Sequence, residues 1–180
     1  MRTIRFLALS AAAVATAAAL SSAAAPTAAA PATPAHQWCK GGAVISGNVS
    51  RPGCASAASL AKLAQKKTVT VTFSSSAGNQ THTFSGPLLL DVITAAKPRF
   101  PSTVKNVQLR YAVLATGSDD YQATVAWGEF DPKFAGKQIL VATKQDGVAL
   151  AMPRLVVPGD TAGGRYVSDV VSLRLGRPFL

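Results

Sequence analysis

Residues 68 to 73, TVTVTF, alternate strictly between polar and apolar β-branched positions and predict a strand with one buried face. QTHTF, residues 80 to 84, repeats that period and predicts the partner strand, leaving SSSAGN, 74 to 79, as an unusually polar hairpin tip. His82 falls between Thr81 and Thr83, so its side chain points away from theirs and reads as a structural or surface histidine. After the Gly86-Pro87 break, Leu88, Leu89, Leu90, Val92 and Ile93 are too dense for a surface helix and predict one sunk in the core, ending near Lys97-Pro98. Strand signals follow in series at 107 to 114, 121 to 126, 139 to 143, 155 to 157 and 166 to 175. Upstream, Ser56 or Ser59 can cap a short helix carrying Leu60, Leu63 and Ala64 on one face and stopping at Lys66-Lys67. GEFDPKFAG, 128 to 136, predicts a turn or a single helical turn capped by Asp131 with Pro132 just inside. The pattern therefore predicts an α+β domain, mainly β in mixed sheets, with two or three short helices.

The amino-terminal stretch does not follow this pattern. Arg2 and Arg5 precede an alanine-rich apolar run and then small residues, the order of a secretory signal, assigned here to residues 1 to 24. The run is short for a bilayer, so no stable membrane span is expected. The Pro/Ala tract at 25 to 35 predicts a disordered tail, and one domain is expected over 36 to 180, about 145 residues and enough for a single core. In an exported chain the only two cysteines, Cys39 and Cys54, read as a disulfide, which the chain-entropy account values at about 3 kcal/mol. It would tie down a glycine-rich segment that is otherwise poorly anchored.

The net charge is +10, and all eight acidic residues lie at or after Asp91. The unopposed basic residues before it could meet anionic envelope material, or simply form a solvated surface; nucleic acid is not an expected partner, because no basic run is interleaved with aromatics. Zinc, dinucleotide, P-loop and serine-hydrolase signatures are all missing, and two histidines offer little for a histidine-based triad. Tyr111, Tyr121, Trp127 and Phe130 could line a pocket, though aromatics in such strands are more often core.

One passage stands out chemically. RLVVPGDTAGGRYVSDVV, 154 to 171, interrupts two apolar runs with a loop in which Gly163-Gly164 could let backbone N–H groups approach an anion and Arg165 offers a planar fork for phosphate. A plain glycine-rich connection with a solvated arginine satisfies the spacing equally well.

FSGPLLLDVITAA, VQLRYAVLATGSDDYQATVAWGEFDP, QILVATKQDGVAL and above all RLVVPGDTAGGRYVSDVVSLRL resemble the molybdopterin-binding domain of the sulfite oxidase family, in its short, single-domain, bacterial exported form, from about Val44 to Leu175. The resemblance implies a molybdopterin-binding oxidoreductase domain of mixed α+β type, passing electrons to a separate partner if active. It also implies that Ser76, Asn79, Gly163, Gly164, Arg165 and Ser168 are the cofactor-binding positions. The chain departs from the family where catalysis is concentrated. Ser76 stands where a cysteine would ligate molybdenum, and a slip at the tip would put Ser74 or Ser75 there; any serine hydroxyl is a poor substitute for a soft thiolate. Ser168 replaces a basic phosphate partner, and Met152-Pro153 replaces a glycine-containing approach. Arg2 and Arg5 are not the adjacent pair that marks export of a folded, cofactor-loaded protein. The resemblance thus implies a domain degenerate at its metal ligand. Molybdopterin remains an expected ligand and molybdenum a disfavoured one. The alternative is a non-catalytic binding module for a pterin or another anionic ligand, or an envelope interaction protein.

Overall fold

The computed structural model describes residues 39–63, 66–101 and 103–178. The signal and tail assignments at 1 to 35 lie outside the described residues. In chain order the elements are β1 (Gly42–Gly47), β2 (Gly53–Ser56), α1 (Ala57–Lys62), β3 (Lys66–Ser75), β4 (Gly78–Pro87), α2 (Leu89–Ala95), β5 (Ala112–Gly117), β6 (Gln122–Ala126), α3 (Trp127–Phe130), β7 (Leu140–Gln145), β8 (Val148–Val156) and β9 (Val170–Gly176). They form a five-stranded sheet ordered β2-β1-β9-β5-β6 and a four-stranded sheet ordered β3-β4-β7-β8. The described residues adopt the expected α+β class, mainly β, with three short helices where two or three were expected.

The main core lies on the inner face of the five-stranded sheet, where Val113, Val125, Leu173 and Leu175 meet Leu89, Val92 and Ile93 of α2 and Val141 and Leu155 of the other sheet. Each such fully buried aliphatic side chain contributes about 1.5–3 kcal/mol. The four-stranded sheet is apolar on its other face too, where Val71, Phe73, Phe84, Leu140, Ala142 and Val156 form a second cluster with Tyr166. Tyr166 comes from the 158 to 168 loop, so the need to cover that second face draws the loop over the β3–β4 hairpin. On the solvent side of the hairpin, hydroxyls pair across the strands: Thr68 with Ser85, Thr70 with Thr83 and Thr72 with Thr81, at 2.9, 2.9 and 2.8 Å.

Several boundaries differ from the pattern reading. The segment before α1 is not loosely held: β1 sits inside its sheet, antiparallel to β2 and parallel to β9, with Val44 opposite Ser172. The glycines obscured this strand, although Val44 and Ile45 carry a short apolar run. Cys39 and Cys54 are bonded, with Cα atoms 5.4 Å apart. Ser56 is the cap of α1, accepting from the Ser59 amide at 3.2 Å, but the helix ends at Lys62, and Lys66-Lys67 open β3 instead. Residues 107 to 110 form a 3₁₀ turn, entered through Asn106 at φ 51°, before β5 begins. Helix α3 precedes Asp131 rather than following it, because Glu129 reaches back to the Ala126 amide and fixes the first turn there; Asp131 takes the carboxyl-terminal cap. Tyr166 and Val167 lie outside β9, although the Leu155 amide still donates to the Val167 carbonyl at 2.9 Å.

Candidate functional site

The loop after Val157 is built by local turns and then clamped from three sides. Gly159, at φ +90°, supplies the left-handed residue of the Pro158-Gly159 turn that ends β8. Thr161 and Ala162 then run alongside the hairpin. The Ser74 amide donates to the Thr161 carbonyl at 2.8 Å, the Ser74 hydroxyl donates to the same oxygen at 3.2 Å, and Ser74 bridges Ala162 in parallel register. Gly163, Gly164 and Arg165 make one 3₁₀ turn, and the exposed Tyr121 donates its hydroxyl proton to the Gly164 carbonyl.

Gly163 has a packing reason for being glycine. A Cβ there would lie 2.8 Å from the Phe73 ring, which is itself held by stacking on Tyr166 at 4.4 Å between centroids. The close approach that suggested an anion cradle is an approach to an aromatic face.

Arg165 is committed on all three nitrogens. Its Nε and Nη2 donate to Asp160 Oδ2 and Oδ1 at 2.7 and 2.6 Å, and its Nη1 donates to both oxygens of Glu129 at 3.0 and 2.8 Å. Glu129 also accepts from the Ala126 amide at 3.1 Å and lies 3.6 Å from the Lys137 ammonium. The side chains are partly shielded, 31% exposed for Arg165, 24% for Glu129 and 14% for Asp160. The hydrogen bonds that Arg165 donates to Asp160, and then those to Glu129, hold the guanidinium proton more tightly than usual despite burial acting the other way. Two carboxylates outweigh the single charge of Arg165, and Lys137 only restores neutrality. The fork therefore braces α3 against the loop and has no charge left over for a phosphate.

The remaining expected positions are solvent-exposed. Ser76 shares the two-residue tip of the hairpin with Ala77, Asn79 pairs across the strands with Ser74, and Ser168 follows Val167 on the surface. The hairpin and the loop do converge, but through Ser74 and by direct hydrogen bonding. Among the described residues no hydrogen bond links the side chains of Ser76, Asn79 or Ser168 to Arg165. Tyr111, Trp127 and Phe130 are buried in the core, as aromatics at such positions usually are. His82 bonds through Nδ1 to Asp146 Oδ2 at 2.7 Å, while the other oxygen of Asp146 accepts from the Thr83 amide, so this pair secures the β4–β7 edge.

Sequence reasoning missed Glu129 and Asp160. A carboxylate three residues into a helical turn and another five residues before Arg165 were the available signals, but only the fold shows that they converge. It also missed two buried polar atoms on the second cluster with no partner among the described residues, Arg154 Nε and the Tyr166 hydroxyl. Burial pushes the Tyr166 phenol up and the Arg154 guanidinium down. Clefts of about 580, 670 and 160 Å³ open elsewhere and are not lined by Ser76, Asn79, Gly163, Gly164, Arg165 or Ser168. A molybdenum-bearing pterin would need a soft ligand at the tip and a free cation at the loop. These residues supply a hydroxyl and a neutralised arginine, and do not fit it.

No family model matches the chain, and no curated protein matches it. Among solved structures it is similar to the sulfane dehydrogenase SoxCD from Paracoccus pantotrophus, with a TM-score of 0.58 and 18% identity, over 74% of this chain and 37% of that one. The chain thus spans well under half the length of that structure. The likeness shows the fold alone, and agrees with the mixed, mainly β architecture expected from the sequence.

Proposed function

We propose that this chain is an exported binding module, one that keeps a sulfite-oxidase-like fold but takes up a small anionic ligand without molybdenum turnover. The observation that carries this reading is the double bidentate capture of Arg165 by Asp160 and Glu129, at 2.6 to 3.0 Å, which removes the cation a cofactor phosphate would need. The serine in place of the thiolate points the same way. Export is supported by the Cys39–Cys54 bond, which belongs in an oxidising compartment, together with the amino-terminal signal pattern. No helix among the described residues is long and apolar enough to cross a membrane. The test is elemental analysis and an absorbance spectrum of protein recovered from the exported fraction of a host that makes molybdenum cofactor. Substoichiometric molybdenum and no pterin absorbance are expected, and one molybdenum per chain would overturn the reading.

A second reading is the molybdopterin-dependent oxidoreductase implied by resemblance, with electrons passing to a separate partner. It is favoured by the fold and by the unpartnered Arg154 Nε and Tyr166 hydroxyl, which a bound polar group could satisfy. The same metal analysis decides between the two.

A further inference from the structure

The outer face of the five-stranded sheet carries a cleft of about 580 Å³ at the carboxyl-terminal end of β9. Pairing register explains its shape. Ser46, Arg174, Leu114 and Thr124 stand in one row across β1, β9, β5 and β6. In the next row of the same face, Gly176 lies opposite Ala112, so small residues form a floor beside the larger side chains. No atom comes within 4 Å of the place a Gly176 Cβ would occupy.

Arginines flank this floor. Arg177 lies over the Tyr111 ring, 5.5 Å from its centroid, and its Nε is buried with no partner among the described residues. Tyr111 is fixed in turn by edge contact with Phe100 at 5.0 Å. Among the described residues no carboxylate pairs with Arg174 or Arg177. Asn48 is held at the rim by its amide, which donates to the Leu175 carbonyl at 2.8 Å, and its side chain is exposed; beyond it a recess of about 670 Å³ is lined by Arg99. On a chain of net charge +10, guanidinium groups with no carboxylate partner among the described residues, set beside a concave floor, concentrate anions. The volume is in the range of small-molecule sites, and Leu114 and Pro178, beside the buried Ala112, give an organic body apolar surface to cover.

We propose that this cleft binds a small organic oxyanion, its phosphate or carboxylate group held by Arg174 and Arg177 and its apolar part laid on the Gly176–Ala112 floor. The proposal rests on the reading of the chain as a binding module for a small anionic ligand and gives that ligand a site; it involves no residue of the Arg165 loop, so metal analysis and ligand binding here can succeed or fail separately.

The test is calorimetric titration of the full exported chain with two probes, inorganic pyrophosphate and citrate, at about 0.1 M salt to screen diffuse attraction. At least one probe is expected to bind at a single site, and which binds more tightly assigns the phosphate or the carboxylate class. The double variant Arg174→Gln/Arg177→Gln should weaken binding about tenfold or more, since charge-assisted bidentate pairing is lost. Gly176→Val should weaken it comparably by filling the floor, and remains decisive if the double variant does not fold. Lys133→Gln, which removes one charge elsewhere, should leave affinity within about twofold. Absence of binding by both probes, or equal weakening in Lys133→Gln and the cleft variants, would overturn the proposal.

Discussion

Two arginine-bearing regions of this molecule differ in what surrounds the guanidinium. At the 158 to 168 loop, Arg165 is enclosed by Asp160 and Glu129 and contributes to holding α3, the loop and the hairpin together. At the end of β9, Arg174 and Arg177 have no acidic partner among the described residues, and one of them rests on an aromatic ring. The first region uses its positive charge for structure, and the second leaves it available. A loop with glycines and an arginine has the composition of an anion site, but composition does not reveal whether the charge is already neutralised. Unpaired charge beside open space is the more telling feature, and it occurs on a sheet face with no recognisable motif.

The contrast can be broken most forcefully by removing each cation. Arg165→Ala leaves two partly shielded carboxylates facing each other and should cost about 2–3 kcal/mol, a figure tempered by partial exposure. Arg177→Gln, which gives up a cation–π contact with Tyr111, should cost about 1 kcal/mol or less. Urea denaturation of both variants checks this, and equal costs would erase the distinction. The glycines sharpen it further. Gly163→Ala drives a methyl group into the Phe73 ring and should destabilise by about 1–2 kcal/mol, whereas Gly176→Ala meets open space and should stay within about 0.5 kcal/mol of the parent. Thermal midpoints measured side by side would show the order. A smaller effect is a pH dependence outside both regions. The Thr83 amide, and then His82, hold the Asp146 carboxyl below the usual carboxylate range, so its folded-state pKa lies under its unfolded one. Its stabilising contribution is present above about pH 4 and fades as pH falls through the folded value. Asp146→Asn should therefore flatten the acid limb of the stability curve, and an unchanged limb would contradict this.

The hairpin and α2 were legible because strict alternation and a dense leucine run each admit one local solution, and the Cys39–Cys54 pairing because no other cysteines compete. β1 was not, since its glycines mask a strand that is defined by long-range pairing to β9, more than 120 residues away in sequence. Gly163 was singled out for backbone approach to an anion; what the fold sets against it is the Phe73 ring, 2.8 Å from where a Cβ would lie. Ser76 could be matched to a ligand position only by counting along a tip whose register the fold alone decides; the residue that meets the loop is Ser74. Arg174 and Arg177 carried no signal at all, because strand pairing is what aligns them with Gly176 and Ala112.

The central claim, that the charge of Arg165 is taken up by Asp160 and Glu129 while Arg174 and Arg177 have no acidic partner among the described residues, is tested most directly by following arginine Nε–H signals in a ¹⁵N-edited spectrum during titration with pyrophosphate. The Arg177 and Arg174 signals should move with added probe while that of Arg165 stays fixed. Movement of the Arg165 signal with the other two unaffected would contradict it.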